Sequence, residues 1–391
     1  VVVGACCLYV FWVVHPELVL RDTTPTGGDM GAHVWGPDFL KDHLLPQLRL
    51  TGWTPDWYAG FPAYTFYMVP PSLAILALDA GWVSVTSVLG ALASLLLVAG
   101  AVFGAIRARS LANPLVRVGA WTLCVLVPLF SISFPYNFAF KLVAVSGIVS
   151  FPAAVLVALR GLSLRRPGPE LGAVASVFFL MDKTIFHIYG GNIASTMAGE
   201  FAFSMSLSLA LFAIGVVARG AATGRHRALG AALAAAAALC HVIPAFFAAV
   251  GILAILFLRP TKRAVGFAAM AGPVAVALTA WWFIPFFGNR KYLNDMGWER
   301  LGVSRNPEGV NEVNWDQMRR FLLPFGPHKI DGVDFTDPNM WAGKIFFVLA
   351  IVGALLSLVM VVRAGIWLTL MTTAAGLAFV LMPQGRVVAA G

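Results

Sequence analysis

The chain has 391 residues, of which 59% are hydrophobic and only 12% charged, with a mean hydropathy of +0.83. That composition excludes an ordinary soluble globular domain, in which the apolar share is about 45–50%. The net charge of +9 does not point to nucleic acid: the basic residues flank apolar runs, where they meet anionic lipid headgroups, and no basic stripe remains once these are set aside.

A membrane-spanning helix needs about 20 apolar residues. In chain order, the candidate runs cover 1–19, 83–106, 117–134, 138–160, 169–183, 200–218, 264–286, 341–362 and 365–382. The run 66–80 is short and contains Pro70-Pro71, which reads as a re-entrant or interfacial element. The run 228–258 has basic residues at both ends, so it crosses twice or re-enters, with a break near His241-Val242-Ile243-Pro244. Proline removes a backbone hydrogen bond and breaks or kinks a helix there. The first run has no basic n-region and no small-residue cleavage site, so it reads as a spanning helix rather than a signal peptide. Without an initial Met, and with Gly391 soon after an apolar run, the chain is expected to be a fragment of a longer one. The fold class expected is all-α: one polytopic transmembrane helical bundle over 1–391, with about nine to eleven crossings. The four cysteines, Cys6, Cys7, Cys124 and Cys240, lie within apolar runs and read as small buried hydrophobes without metal-ligand spacing.

Charge patterning orients the bundle. Arg107, Arg109 and Arg117, then Arg160, Arg165 and Arg166, then Arg219, Arg225 and Arg227, then Arg259, Lys262 and Arg263, then Arg363 occupy short connectors. Only Glu170 joins them; the other carboxylates fall in or beside three polar stretches at 15–65, 182–200 and 287–340, with Asp79 the least certain in placement. Lys and Arg bias loops toward the cytoplasm. The expectation is therefore a multi-pass plasma-membrane protein with a cytoplasmic N-terminus and its chemistry on the outer face.

In the first polar loop, Asp38 is positioned to cap a short amphipathic helix that lays Phe39, Leu40, Leu44 and Leu48 on the membrane surface. The sharpest constellation is Asp29-Met30-Gly31-Ala32-His33. On a helical turn, positions i and i+4 share a face, so carboxylate and imidazole converge. Such a carboxylate can act as general base on an acceptor hydroxyl, or with His33 hold a divalent cation beside a phosphate; alternatively Asp29 caps the turn and His33 bonds nearby backbone. Asp56, between Trp53 and Trp57 and before Tyr58, suits either a sugar-binding carboxylate among stacking rings or plain turn chemistry. In the second loop, Asp182, Lys183, His187, Gly190, Gly191 and Asn192 fit a phosphate-binding turn, and Glu200 opens an apolar helix whose dipole its charge suits. Lys141 lies inside its apolar segment, where it must snorkel or pair, a lipid phosphate being one partner. His241 beside the helix break is either a proton site or a bonding partner for freed carbonyls.

Gly28-Asp29-Met30-Gly31-Ala32-His33 soon after the first helix, followed by Trp57-Tyr58-Ala59-Gly60-Phe61-Pro62, resembles the GT-C-type membrane glycosyltransferases. Phe138-Ala139-Phe140-Lys141-Leu142-Val143, the stretch from Tyr189 to Phe201 and Pro383-Gln384-Gly385-Arg386 are similar to the actinobacterial six-pyruvoyl-tetrahydropterin-synthase-related membrane proteins. The resemblance implies a polyprenyl-phosphate-sugar donor, a cell-envelope glycan or glycolipid acceptor, and inverting transfer with Asp29 as base. It also implies Lys141, Lys183, His187 and Arg386 as cations for the leaving phosphate, with Asn192 orienting sugar or phosphate. In related proteins the Pro-Gln-Gly-Arg element is expected to continue into further helices; here five residues follow it. A lipid flippase or transporter, or a non-catalytic scaffold for envelope assembly, are the rival readings. Carboxylates gathered at one surface favour chemistry there over transport, which uses ionisable groups near the midplane.

Overall fold

The computed structural model describes residues 1–57, 59–66, 68–182, 190–258 and 260–292, together with the strand segments 303–305, 311–313, 329–330 and 333–334 and helical residues Val352 and Leu355. Most of the third polar loop and the runs 341–362 and 365–382 therefore lie outside the described residues. Helix α1 (Val2–Val13) leads to the short α2 (Pro16–Val19), then to α3 (Met30–Phe39), which continues through a π-turn at Leu40–Leu44 and a 3-10 turn at Leu45–Gln47. Strands β1 (Gly52–Thr54) and β2 (Phe61–Ala63) form an antiparallel hairpin with Trp53 opposite Pro62. Next come α4 (Val69–Asp79), β3 (Val83–Ser84), α5 (Val88–Ala108), α6 (Pro114–Ser131), β4 (Ile132–Ser133) and α7 (Tyr136–Gly161). The chain continues through α8 (Gly168–Met181), α9 (Ile193–Ser195), α10 (Phe201–Thr223), α11 (Arg227–Cys240), α12 (Val242–Leu258) and α13 (Lys262–Gly288).

Among the described residues, four helices are long and apolar enough to cross a membrane: Val88–Ala108, Tyr136–Gly161, Ile193–Thr223 and Lys262–Gly288. Six shorter apolar helices accompany them. The protein is an all-α membrane protein. Helix α5 makes the physical reason plain: Leu89, Leu92, Leu95, Leu96, Val102 and Phe103 are all exposed, a surface that water would not tolerate on this scale. The chain divides into two compact units, Trp12–Ser146 and Val1–Phe11 with Gly147–Gly391.

In the unit Trp12–Ser146, a core forms from Phe39, Leu40, Leu44, Ala63, Tyr64, Val69 and Leu76. This corrects the expected membrane-surface helix. Phe39, Leu40 and Leu44 face this protein core, covered by the β1–β2 hairpin and α4; only Leu48, at φ 56° and 96% exposed, stays outside. Asp38 is also not a cap, because α3 already begins at Met30. Helices α5 and α6 form a hairpin in which Trp121 Nε1 donates to the Ala105 carbonyl. Arg107, Arg109 and Arg117 lie at its connector. At the opposite end β3 pairs with β4, Ser133 Oγ donates to the Asp79 carbonyl at 2.9 Å, and Asp79 pairs with Lys41 at 3.0 Å. A helix of 21 residues separates the two ends, about 31 Å at 1.5 Å per residue and close to the thickness of a bilayer core. Asp79 thus joins the polar end, away from the arginines.

In the other unit, α10 packs against α11, α12 and α13. Its buried serines bond outward to neighbouring backbone: Ser208 Oγ to the Gly147 carbonyl at 2.7 Å, and Ser206 Oγ to the Ala237 and His241 carbonyls at 2.7 and 3.1 Å. The break between α11 and α12 falls at His241, whose extended backbone (φ −163°) ends α11. Ser206 thus adds a second bond to carbonyls that already accept from the His241 and Ala245 N–H groups. His241 Nδ1 accepts from the Ile243 N–H at 3.2 Å, and its ring meets Phe203 edge-on. Glu170, the lone carboxylate among the basic connectors, is held by Arg160 at 2.8 Å and Arg166 at 3.2 Å. The Arg160 hydrogen bond draws its carboxyl below the usual carboxylate range.

Candidate functional site

Residues 20–29 leave α2 and turn into α3 through Gly27 (φ 101°) and Gly28 (φ 50°), a left-handed pair that residues with a Cβ enter only at a cost. The turn delivers Asp29 to the N-cap position of α3 (φ −87°, ψ 6°). Its carboxylate makes no capping hydrogen bond there and is exposed. The first helical bond runs instead from the His33 N–H to the Asp29 carbonyl at 3.2 Å. The i, i+4 relation inferred from the spacing is therefore present, with both side chains on the first turn of α3. His33 is half-buried. Burial pulls its pKa below the ordinary imidazole value, against the upward pull of the Asp29 charge. At neutral pH its ring is uncharged, with one nitrogen donating and one accepting.

The approach to Asp29 is held by α7, a helix more than a hundred residues later in the chain. Lys141 Nζ donates to the Leu18 carbonyl at 2.7 Å, to the Arg21 carbonyl, and to Thr23 Oγ1 at 3.3 Å. An ammonium has three protons, and all three are used. Lys141 thereby fastens the backbone of residues 18–21. One turn earlier, Asn137 Nδ2 donates to Asp22 Oδ1 at 3.1 Å, and the Tyr136 hydroxyl donates to the Val34 carbonyl inside α3. Neither Tyr136 nor Asn137 stood out in the sequence as a site residue. The only signal was their place beside Pro135, at the start of the run holding Lys141.

The hairpin adds aromatic surface. Trp35 of α3 stacks on Phe39 at 4.8 Å and on Trp57 at 5.9 Å, tying the hairpin tip to the helix that carries His33. Trp53 is 68% exposed. Beneath it lies Gly60 at φ 138°, where an added Cβ would stand 2.2 Å from the indole. Asp56 takes the turn role: its N–H donates to Thr54 Oγ1 at 3.2 Å, and that hydroxyl donates to Asp56 Oδ2 at 3.5 Å. Its side chain is exposed, so the turn leaves part of the carboxylate facing outward.

In the other unit, Asn192 is fully buried. Its Oδ1 accepts from the Ser195 N–H at 2.8 Å and its Nδ2 donates to the Asp182 carbonyl at 2.7 Å, so it caps α9 and closes the polar turn. Glu200 stands half-buried at the N-cap position of α10 without a side-chain capping bond. Lys183, His187 and Arg386 lie outside the described residues.

Among the described residues, no group of three or more His, Cys, Asp or Glu side chains gathers as a metal site. What the Asp29 turn does offer is an exposed, uncapped carboxylate at the start of α3, one turn before the half-buried His33. That arrangement suits proton acceptance from a bound hydroxyl. Comparison with protein-family models, with characterised proteins and with solved structures returned no match to this chain.

Proposed function

We propose that the protein is a membrane glycosyltransferase that moves a sugar from a polyprenyl-phosphate donor to a cell-envelope glycan or glycolipid. The observation that carries this reading is the Asp29 carboxylate, left uncapped and exposed at the start of α3 where a capping bond is the ordinary fate of that residue. The sequence resemblance to the GT-C-type enzymes supplies the donor class. Asp29 accepts the proton of the acceptor hydroxyl as its oxygen bonds the anomeric carbon. The bond from that carbon to the phosphate oxygen breaks, and its electron pair leaves with polyprenyl phosphate. No general acid is required, because the phosphate is already a good leaving group.

By the resemblance, cations neutralise the leaving phosphate; of those it names, Lys141 lies in the same unit as Asp29, and its protons are given to backbone and Thr23. Trp57 and the exposed Trp53 provide faces on which sugar rings stack. Charge asymmetry supports an outward-facing site: within Trp12–Ser146, Asp79 and Lys41 lie at the end of the α5–α6 hairpin opposite Arg107, Arg109 and Arg117. Among the described residues, the broken helix at His241 is a feature that favours a transporter. Ser206 Oγ, however, bonds the Ala237 and His241 carbonyls there and ties the break to α10, as in a structural kink.

The test is transfer of radiolabel from a panel of polyprenyl-phosphate sugars to envelope acceptors, with the full chain in vesicles beside Asp29→Asn. Transfer by the wild type that falls by about 100-fold or more in the variant supports the reading. A folded wild type that uses no donor in the panel, or a variant as active as the wild type, removes it.

A further inference from the structure

The Asp29 turn contains the structural elements of a mobile segment: two successive left-handed glycines and exposed residues from Arg21 to Thr24. A carboxylate on such a turn makes a poor base unless something fixes it, because a displacement of about 1 Å costs about 100-fold in rate. The fixing comes from one face of α7. Asn137 and Lys141 are four residues apart and so lie one above the other. From there they grip the segment before Asp29, while Tyr136 holds α3 just after it.

We infer that Asn137 and Lys141 are positioning residues, a clamp that holds residues 18–23 so that Asp29 presents its carboxylate at one place. The inference rests on the reading of Asp29 as the base. It reassigns Lys141 from a phosphate ligand to a fastener of the catalytic turn. Asp22 belongs to the clamp as well, since its carboxylate accepts the Asn137 amide and adds a favourable charge for Lys141.

The Asp22–Asn137 pair allows an exchange test. In Asn137→Asp two carboxylates face each other and the clamp opens. In the reciprocal variant, Asp22→Asn with Asn137→Asp, the amide and carboxylate are restored with their places exchanged, and the negative charge moves to position 137, four residues from Lys141 on the same helix face. Two readouts are taken on the full chain. The first is kcat and KM for transfer: Asn137→Asp is expected to lower kcat about tenfold or more with KM nearly unchanged, and the exchange to recover most of it.

The second readout needs no activity: trypsin cleavage after Arg21, whose carbonyl Lys141 holds. Cleavage follows the open population, so Asn137→Asp is expected to be cut about tenfold faster than the wild type. The exchanged variant is expected to be cut no faster than Asp22→Asn, which shares its residue after the cut site. Lys141→Met provides an independent opening of the same clamp.

Equal cleavage in Asn137→Asp, Lys141→Met and the wild type overturns the clamp, whatever the activity data say. Faster cleavage with kcat unchanged overturns its positioning role, and so does an exchange that restores cleavage but not kcat. If cleavage follows the clamp while the wild type transfers no sugar, the catalytic reading of Asp29 is what fails.

Discussion

In the stretch from Asp182 to Glu200, Asn192 is fully buried and spends its amide on the Ser195 N–H and the Asp182 carbonyl, while Thr196 Oγ1 bonds Ser204 Oγ at 2.6 Å. In the stretch from Leu18 to Val34, built from the same kinds of residue, the bonds come from α7, far along the chain, and the one acid that opens the helix is left uncapped. In the first, polar groups satisfy each other locally around Asn192. Groups fastened from outside leave the Asp29 side chain without a capping bond. The comparison teaches that the polarity of a loop does not itself mark a site; what matters is which of its groups are already used.

The largest expected contrast breaks this comparison if it fails. Asn192→Ala should destabilise the fold by about 2–4 kcal/mol, through loss of a buried cap and an orphaned Ser195 N–H, while activity per folded molecule persists. Asp29→Asn should do the reverse, abolishing transfer with the thermal midpoint in detergent unchanged. A catalytic loss in Asn192→Ala that exceeds its loss of folded protein would mean that the inner turn is a site after all.

Next in size, Gly60→Ala forces a Cβ into a left-handed backbone against the Trp53 indole, at a cost of about 1–2 kcal/mol. Tryptophan fluorescence should report the displaced ring. An unchanged spectrum and midpoint would show that the hairpin is looser than its geometry implies.

The His33 prediction concerns pH. Its folded pKa lies below the unfolded value, so the unfolded chain binds more protons once pH falls below the ordinary imidazole value. Stability from this group is complete above that value and is lost as pH falls toward the folded pKa. Thermal midpoints measured from pH 7 downward should fall less steeply in His33→Gln than in the wild type. Equal slopes would place the imidazole in water.

The smallest effect belongs to Lys41–Asp79, a pair whose lysine side chain is 52% exposed. Asp79→Asn should cost less than about 1 kcal/mol and less still in high salt. A larger loss would make the ion pair a structural lock for the polar end of this unit rather than a surface contact.

The sequence by itself determined what depends on composition and local spacing. Apolar runs with basic ends gave the helices, because a bilayer selects for length and hydropathy without reference to partners. The four-residue spacing of Asp29 and His33 gave their shared face, which helical geometry alone dictates. The break beside His241 was legible from Pro244 in the same way. Tertiary structure decided the rest. Phe39, Leu40 and Leu44 have the pattern of a membrane-surface helix, and only the return of the β1–β2 hairpin and α4 shows that protein covers them. Lys141 carries the same charge whether it meets a phosphate or a carbonyl; the three acceptors around it belong to residues 18–23, and no local pattern announces a contact across such a separation. Nor does sequence show which carboxylate is already spoken for. Asp22, Asp79 and Glu170 each have a partner, whereas Asp29 makes no capping bond, because hydrogen bonding is settled by distances that only the folded chain fixes.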